Sequence, residues 1–77
     1  MNVALHIAMH AAVEENRLLA RLREGGATSP RSAIPLPLSS SFQESRLKGL
    51  IRRGVVAESQ PGQYFVDEEV AAARAEA

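Results

Sequence analysis

The 77-residue chain has no cysteine, which excludes disulfides and thiolate metal sites and favours an intracellular protein. It also has no tryptophan, and only 4% of its residues are aromatic although 45% are hydrophobic. The apolar content is therefore mostly Ala, Val, Leu and Ile, and abundant Ala and Leu favour helices. A domain of this size buries only about 60% of the surface that its unfolded chain exposes. We expect a single domain with a thin margin of stability.

A long apolar run is missing too. The longest apolar-leaning stretch, residues 3–13, contains His6 and His10 and is far shorter than the ~20 residues that span a bilayer. The chain also lacks the basic start of a signal peptide. We therefore expect no membrane segment and a cytoplasmic location.

Neither sign of charge is in excess, since nine basic residues balance nine acidic ones. The distribution along the chain is nevertheless uneven. Residues 27–60 carry five basic and two acidic residues, a net of +3, whereas residues 61–77 carry one basic and four acidic residues, a net of −3. This asymmetry indicates either one basic face or an ordinary set of solvated charges.

No catalytic constellation is present in the sequence. It contains no cysteine nucleophile, no glycine-rich phosphate loop and no His–Asp pair in a supporting context, so we expect neither an enzyme nor a cofactor. His6, His10 and Glu14 stand four apart on one line of a helix, and two imidazoles at this spacing can bind zinc. Because that line is opposite the apolar side of the helix, we interpret it as solvent-facing and predict no functional metal.

Helix periodicity dominates the first third of the chain. Gly and Pro are absent from residue 2 to residue 24, and Gly25-Gly26 then supplies a helix end, because Gly adopts the left-handed conformation at a C-terminus. Thr28 is predicted to cap a short second helix that Pro35 ends within about two turns. The apolar side of the first helix comprises Ala4, Ile7, Ala8, Ala11, Leu18, Leu19 and Leu22.

A third helix has the clearest signals at both ends. Ser41 followed by Glu44 fits the capping-box pattern at its start, and Gly54 ends it. Two short strands are predicted after it, joined by a Pro-Gly turn at residues 61–62, and a last short helix is capped by Asp67. The third helix is expected to pack on the first through a buried stripe of Leu47, Leu50 and Ile51.

The ordered combination of these signals resembles a winged-helix domain of the bacterial transcription-regulator type, over residues 16–67. It is carried by "ATSPRSAIPLPLSSSFQESRLKGLIRRGVV" followed by "QPGQYFVD". In that superfamily a Leu-Ser turn precedes a recognition helix with a "Leu-x-x-Leu-x-x-x-Gly-Leu/Val-Val" ending, and a two-stranded wing follows. Leu38-Ser39 matches the turn, residues 47–56 match the ending, and residues 61–62 match the wing tip. The resemblance implies a mainly α fold with a small β-hairpin, a winged helix-turn-helix with an extended N-terminal helix.

The resemblance also implies that the third helix enters the major groove of duplex DNA while the hairpin contacts the backbone. Three features depart from the family's pattern: Gln43 replaces an apolar core residue, Phe42 replaces a polar base-reading residue, and residues 59–63 contain no Lys or Arg. Phe42 suits a protein contact equally well, or else folds back under the start of the helix. The residues implied in DNA binding are Ser41, Phe42, Ser45, Arg46, Lys48, Gly49, Arg52 and Arg53.

The first helix is longer than a winged-helix core at residues 16–77 requires. Residues 1–15 extend its apolar side, and a projecting apolar stripe usually buries itself against a partner. We expect an antiparallel homodimer, the alternative being that this extension folds back within one chain. The stripe expected at the dimer interface comprises Ala4, Ile7, Ala8 and Ala11.

These observations predict a small DNA-binding protein that acts in transcriptional regulation. The alternative is a protein–protein interaction module that has the same fold and does not bind DNA. The two hypotheses differ in the surface charge that they require around Arg46, Lys48, Arg52 and Arg53.

Overall fold

The computed structural model describes residues 3–76, together with the side chains of residues 9–75. These residues form three α-helices and one three-stranded antiparallel sheet, so the fold is mixed α and β. The elements in chain order are α1 (Val3–Glu24), a 3₁₀ turn (Pro30–Ser32), β1 (Ile34–Pro35), α2 (Ser41–Arg52), β2 (Val56–Gln60), β3 (Gln63–Val66) and α3 (Glu68–Glu76).

The predicted second helix is wrong, because its place is taken by a single 3₁₀ turn followed by β1. Ser29 rather than Thr28 stands at the N-cap position of this turn. The Ser32 hydroxyl lies 2.9 Å from that of Ser29 and accepts from the Ser29 N–H at 3.1 Å, so short polar side chains satisfy the backbone locally. Pro35 lies on an edge strand, where its missing N–H removes no bond from the interior of the sheet.

One helix, α2, therefore lies between β1 and β2, and residues 36–40 approach it without helical structure. The cap of α2 is Ser40, one residue earlier than the predicted Ser41, and its side chain accepts from the Gln43 N–H at 3.1 Å. The Gln43 side-chain oxygen accepts in turn from the Ser39 N–H at 2.8 Å. These two bonds satisfy one backbone donor in the first turn and one just before the cap, and the second bond explains a polar residue at position 43.

Gly54 ends α2 as predicted and turns the chain into β2. Its φ of 79° is the left-handed conformation, which costs a residue without Cβ little. The Gly54 N–H donates to Ile51 O at 3.0 Å, and the Val55 N–H donates to Leu50 O at 3.0 Å. This is the Schellman pattern, and it satisfies carbonyls that the last turn of the helix would otherwise leave without donors.

The sheet has the strand order β1-β3-β2, with both neighbours antiparallel to β3. The β2–β3 hairpin turns at residues 61–62 as predicted, where Gly62 has a φ of 79°. Val56 lies opposite Val66 in the hairpin, and Ile34 of β1 lies opposite Tyr64. The hairpin is therefore confirmed, and β1 is an additional strand that the Pro-rich sequence did not indicate.

The core lies between α1, α2 and one face of the sheet. Leu18 and Leu22 of α1 are fully buried, and Leu47 and Leu50 of α2 pack in the same cluster, as predicted. The prediction was wrong in detail for Leu19 and Ile51, which are only partly buried at the edge of this cluster. The remaining buried residues are Ala27, Leu36, Val55, Val56 and Val66.

Polar contacts fix α3 against the rest of the chain. Asp67 caps it as predicted, since its carboxylate accepts from the Val70 N–H at 3.2 Å. Arg23 of α1 donates two hydrogen bonds to Glu68, at 2.7 and 2.8 Å, and these bonds lower the pKa of the Glu68 carboxyl. Arg74 donates to the backbone oxygen of Arg53 at 2.9 Å, so α3 also satisfies the end of α2.

Candidate functional site

The eight residues predicted to contact DNA all lie on α2 or directly after it, but they do not form one open basic face. Ser41, Phe42, Ser45, Lys48 and Arg52 are exposed, whereas Arg46, Gly49 and Arg53 are partly buried. The distinction arises because α1 crosses one side of α2. What each cation contacts decides how much positive charge this surface offers to a partner.

Glu15 of α1 binds two of the four cations. One carboxylate oxygen lies 3.3 Å from Nη1 of Arg46, and the other lies 2.8 Å from Nη2 of Arg53. The Glu15 side chain is only 15% exposed, so solvent screens these pairs less than it would screen pairs on an open surface. Glu15 therefore links α1 to α2 through ion pairs, about one helical turn before Leu18, the first buried leucine of α1.

Arg53 is held in place by a second contact within α2. Its Nε donates to the backbone oxygen of Gly49 at 3.0 Å. A Cβ added at Gly49 would meet Nη2 of Arg53 at 3.5 Å, which is an ordinary van der Waals distance. Packing within the described residues therefore does not require glycine at position 49.

Arg46 lies between polar and aromatic neighbours. Its guanidinium carbon lies 5.8 Å from the centre of the Phe42 ring, within cation–π range. Its Nη2 donates to the Ser45 hydroxyl at 3.2 Å, while its Nε is buried without a hydrogen-bond partner. Arg46 thus contacts both Phe42 and Glu15.

The other two cations lie on the exposed side of α2. Lys48 pairs with Glu44 at 3.3 Å, one helical turn away, and both side chains are largely exposed. Arg52 makes no ion pair or hydrogen bond within the described part of the chain. Four cations and two carboxylates, Glu15 and Glu44, leave a local charge of 4 − 2 = +2.

The tip of the hairpin supplies no positive charge to this surface. Glu58 of β2 accepts from the Gly62 N–H at 2.7 Å and so closes the turn. Burial raises the pKa of the nearby Tyr64 phenol, and the negative charge of Glu58 and a hydrogen bond to it raise it further. The acidic residue on the hairpin is therefore a part of the turn itself.

An apolar face, of which the sequence pattern indicates only Phe42, lies on the other side of α1. We call it the Met9–Val13–Phe42 face, after its members, which are 61%, 49% and 41% exposed. It borders a shallow groove of about 350 Å³ that is also lined by His10, Glu14 and Arg17. Met9 and Val13 stand four apart, which is the signal that the sequence offers, but they lie about 140° and 180° around the helix from the centre of its leucine side.

The predicted dimer stripe falls mostly outside the described side chains. This is the case for Ala4, Ile7 and Ala8, and Ala11 is partly buried. The side chain of His6 lies outside them as well. Within the described part of the chain, no group of three or more His, Asp or Glu residues is arranged to hold a metal ion.

Comparison of the chain with protein-family models, with curated proteins and with solved structures finds no match. No helix among residues 3–76 combines the length and the apolar content needed to cross a membrane.

Proposed function

We propose that this protein is a protein–protein interaction module that self-associates through the Met9–Val13–Phe42 face. The supporting observation is that three large apolar side chains from two helices, 41–61% exposed, border one groove. Single exposed apolar residues are common on protein surfaces, but a contiguous group rimmed by polar residues is typical of an interaction site.

A second copy of the chain is the partner that the charges around the groove favour. Glu14 and Arg17 both line the groove, and neither has an ion-pair partner within 4 Å among the described residues. In a two-fold interface each contact occurs twice with the roles exchanged. Glu14 of one copy can therefore pair with Arg17 of the other, and the reverse pair forms at the same time.

The ion pairs made by the α2 cations support a protein partner over nucleic acid. Contacts to phosphate supply most of the non-specific affinity for DNA, and they require free Lys and Arg side chains. Here Glu15 holds Arg46 and Arg53, and Glu44 pairs with Lys48. The same Arg46 lies within cation–π range of Phe42, whose ring is exposed.

Binding of duplex DNA in transcriptional regulation is the second candidate. It is favoured by the exposed and unpaired Arg52, and by α2 leading directly into a hairpin within a β1-β3-β2 sheet. These features agree with the resemblance to winged-helix domains. The uncharged hairpin tip and the absence of a helix between β1 and α2 count against it.

Sedimentation of two charge variants tests the proposed self-association. Val13→Glu places a carboxylate in the apolar face, and an unpaired charge buried in an interface is strongly unfavourable, so we expect a folded monomer. Ala12→Glu adds the same charge to an exposed position about 100° around the same helix. We expect this control to remain dimeric.

Ala11→Glu separates the proposed face from the alanine stripe. Ala11 lies about 200° around α1 from Val13, so the two substitutions affect opposite sides of the helix. Loss of the dimer with Ala11→Glu but not with Val13→Glu would place the interface on the Ala4–Ile7–Ala8–Ala11 stripe. A wild-type chain that is monomeric at tens of micromolar, a concentration suited to weak dimers, would refute self-association altogether.

A further inference from the structure

A basic cleft between α1 and α2 shares no lining residue with the groove at the Met9–Val13–Phe42 face, although Arg46 of the cleft lies 5.8 Å from the Phe42 ring. It encloses about 290 Å³. Three guanidinium groups and one carboxylate border it, giving a charge of 3 − 1 = +2. The residues that line it are Glu15, Ser45, Arg46, Gly49, Arg52 and Arg53.

Glu15 does not use the full hydrogen-bonding capacity of these guanidiniums. It gives one oxygen to Arg46 and the other to Arg53, so neither pair is bidentate. The 3.3 Å distance to Arg46 exceeds the roughly 2.7–2.9 Å of a charge-assisted hydrogen bond. Arg46 has five N–H donors, and its contacts to Glu15 and Ser45 leave the others without a described acceptor.

We propose that the basic cleft is a binding site for phosphate groups, and that Glu15 is an internal competitor that occupies it. Inorganic phosphate, or a terminal phosphate group, carries more negative charge than one carboxylate and offers at least three oxygens, which suits several guanidiniums at once. Arg52 at the edge of the cleft and the Ser45 hydroxyl supply further donors that Glu15 does not use. Displacement of Glu15 would release Arg46 and Arg53 together.

Free phosphate and the phosphates of a nucleic-acid backbone both offer anionic oxygens to guanidiniums, although each backbone phosphate carries a single charge, so the test has two arms. Glu15→Gln removes the competing charge while keeping the shape of the side chain. Glu24→Gln is the matched control, because it changes the net charge equally on the same helix at an exposed position with no described ion pair. Each protein is titrated with inorganic phosphate against chloride at equal ionic strength, and with a labelled random-sequence duplex at several salt concentrations.

We expect Glu15→Gln to bind phosphate at least about ten-fold more tightly than the control, because two guanidiniums become available. If the source is a nucleic-acid backbone, the log–log salt slope for the duplex also steepens by about 1–2, at roughly 0.9 per released cation. Tighter phosphate binding with no change for the duplex assigns the cleft to a small phosphate ligand. Equal behaviour of the two variants in both arms overturns the proposal.

A second variant covers the case in which Glu15→Gln fails to fold. Arg53→Gln in the wild-type background should weaken phosphate binding about five-fold or more, because it removes one of the donors. Arg31→Gln is its control, since Arg31 is exposed and distant from the cleft residues in sequence. An equal effect of the two would refute the site. None of these outcomes depends on self-association, which sedimentation measures separately.

Discussion

Replacing Leu50 with alanine tests the packing of α2 against α1 and the sheet. Leu50 is 2% exposed and belongs to the same buried cluster as Leu18 and Leu22. The substitution removes three carbon atoms, and at about 0.8 kcal/mol per buried CH₂ the lost transfer free energy is about 2.4 kcal/mol. The cavity left behind adds to this, so we expect a total loss of about 2.5–5 kcal/mol in the free energy of unfolding.

That loss is large relative to what a chain of this size possesses. At about 0.05–0.15 kcal/mol per residue, 77 residues give a stability of about 4–12 kcal/mol. Urea unfolding followed by circular dichroism measures the change, provided that the slope m stays constant. Ile51→Ala is the control, because Ile51 is the neighbour in sequence and only partly buried, and it should cost clearly less. Equal losses for the two, or a loss below about 1 kcal/mol for Leu50→Ala, would refute this account of the core.

Two further predictions concern α2 and the sheet. Gly49→Ala should raise the free energy of unfolding by about 0.5–1 kcal/mol, because alanine favours a helix interior over glycine and the new Cβ meets Arg53 at an ordinary distance. A lower urea midpoint would show that the new methyl group disturbs Arg53 instead. Burial and Glu58 raise the pKa of Tyr64, so the folded state disfavours the phenolate, and stability should fall as pH rises through about 10, where the unfolded chain ionises first. Tyr64→Phe should remove that loss of stability. Because Tyr64 is the sole tyrosine, absorbance titration of the wild type measures its pKa directly. A midpoint at or below the ordinary value would contradict the effect of burial and Glu58.

The helices and the hairpin could be predicted because their signals are local. Gly26 and Gly54 end α1 and α2 through a backbone conformation that glycine favours, and residues 61–62 form the turn of the hairpin for the same reason. The strand β1 could not be predicted in this way. Its pairing with β3 joins residues 30 positions apart, 64 − 34, and Pro35 normally indicates the end of an element.

The ion pairs of Glu15 could not be predicted from the sequence pattern either. Periodicity places Glu15 on the apolar side of α1 and indicates no partner for its carboxylate, whereas in the structure it binds Arg46 and Arg53, 31 and 38 residues away, 46 − 15 and 53 − 15. Such pairs depend on how two helices cross, which periodicity within each helix does not determine. The sequence left open whether Phe42 is exposed or folds back under the start of the helix, and its proximity to Met9 and Val13 depends on the same crossing.

The arrangement of the sheet has a kinetic consequence. The β2–β3 hairpin closes over a two-residue turn, whereas residues 36–62, which include α2 and β2, separate β1 from β3 along the chain. The entropy cost of bringing two segments together rises with the length of chain between them. With two residues, one of them a proline without an N–H, β1 makes few backbone hydrogen bonds to β3 and depends on the packing of Ile34 and Leu36. We therefore expect β1 to separate while the hairpin stays intact, so that amide hydrogens along the outer edge of β3 exchange with solvent sooner than those facing β2.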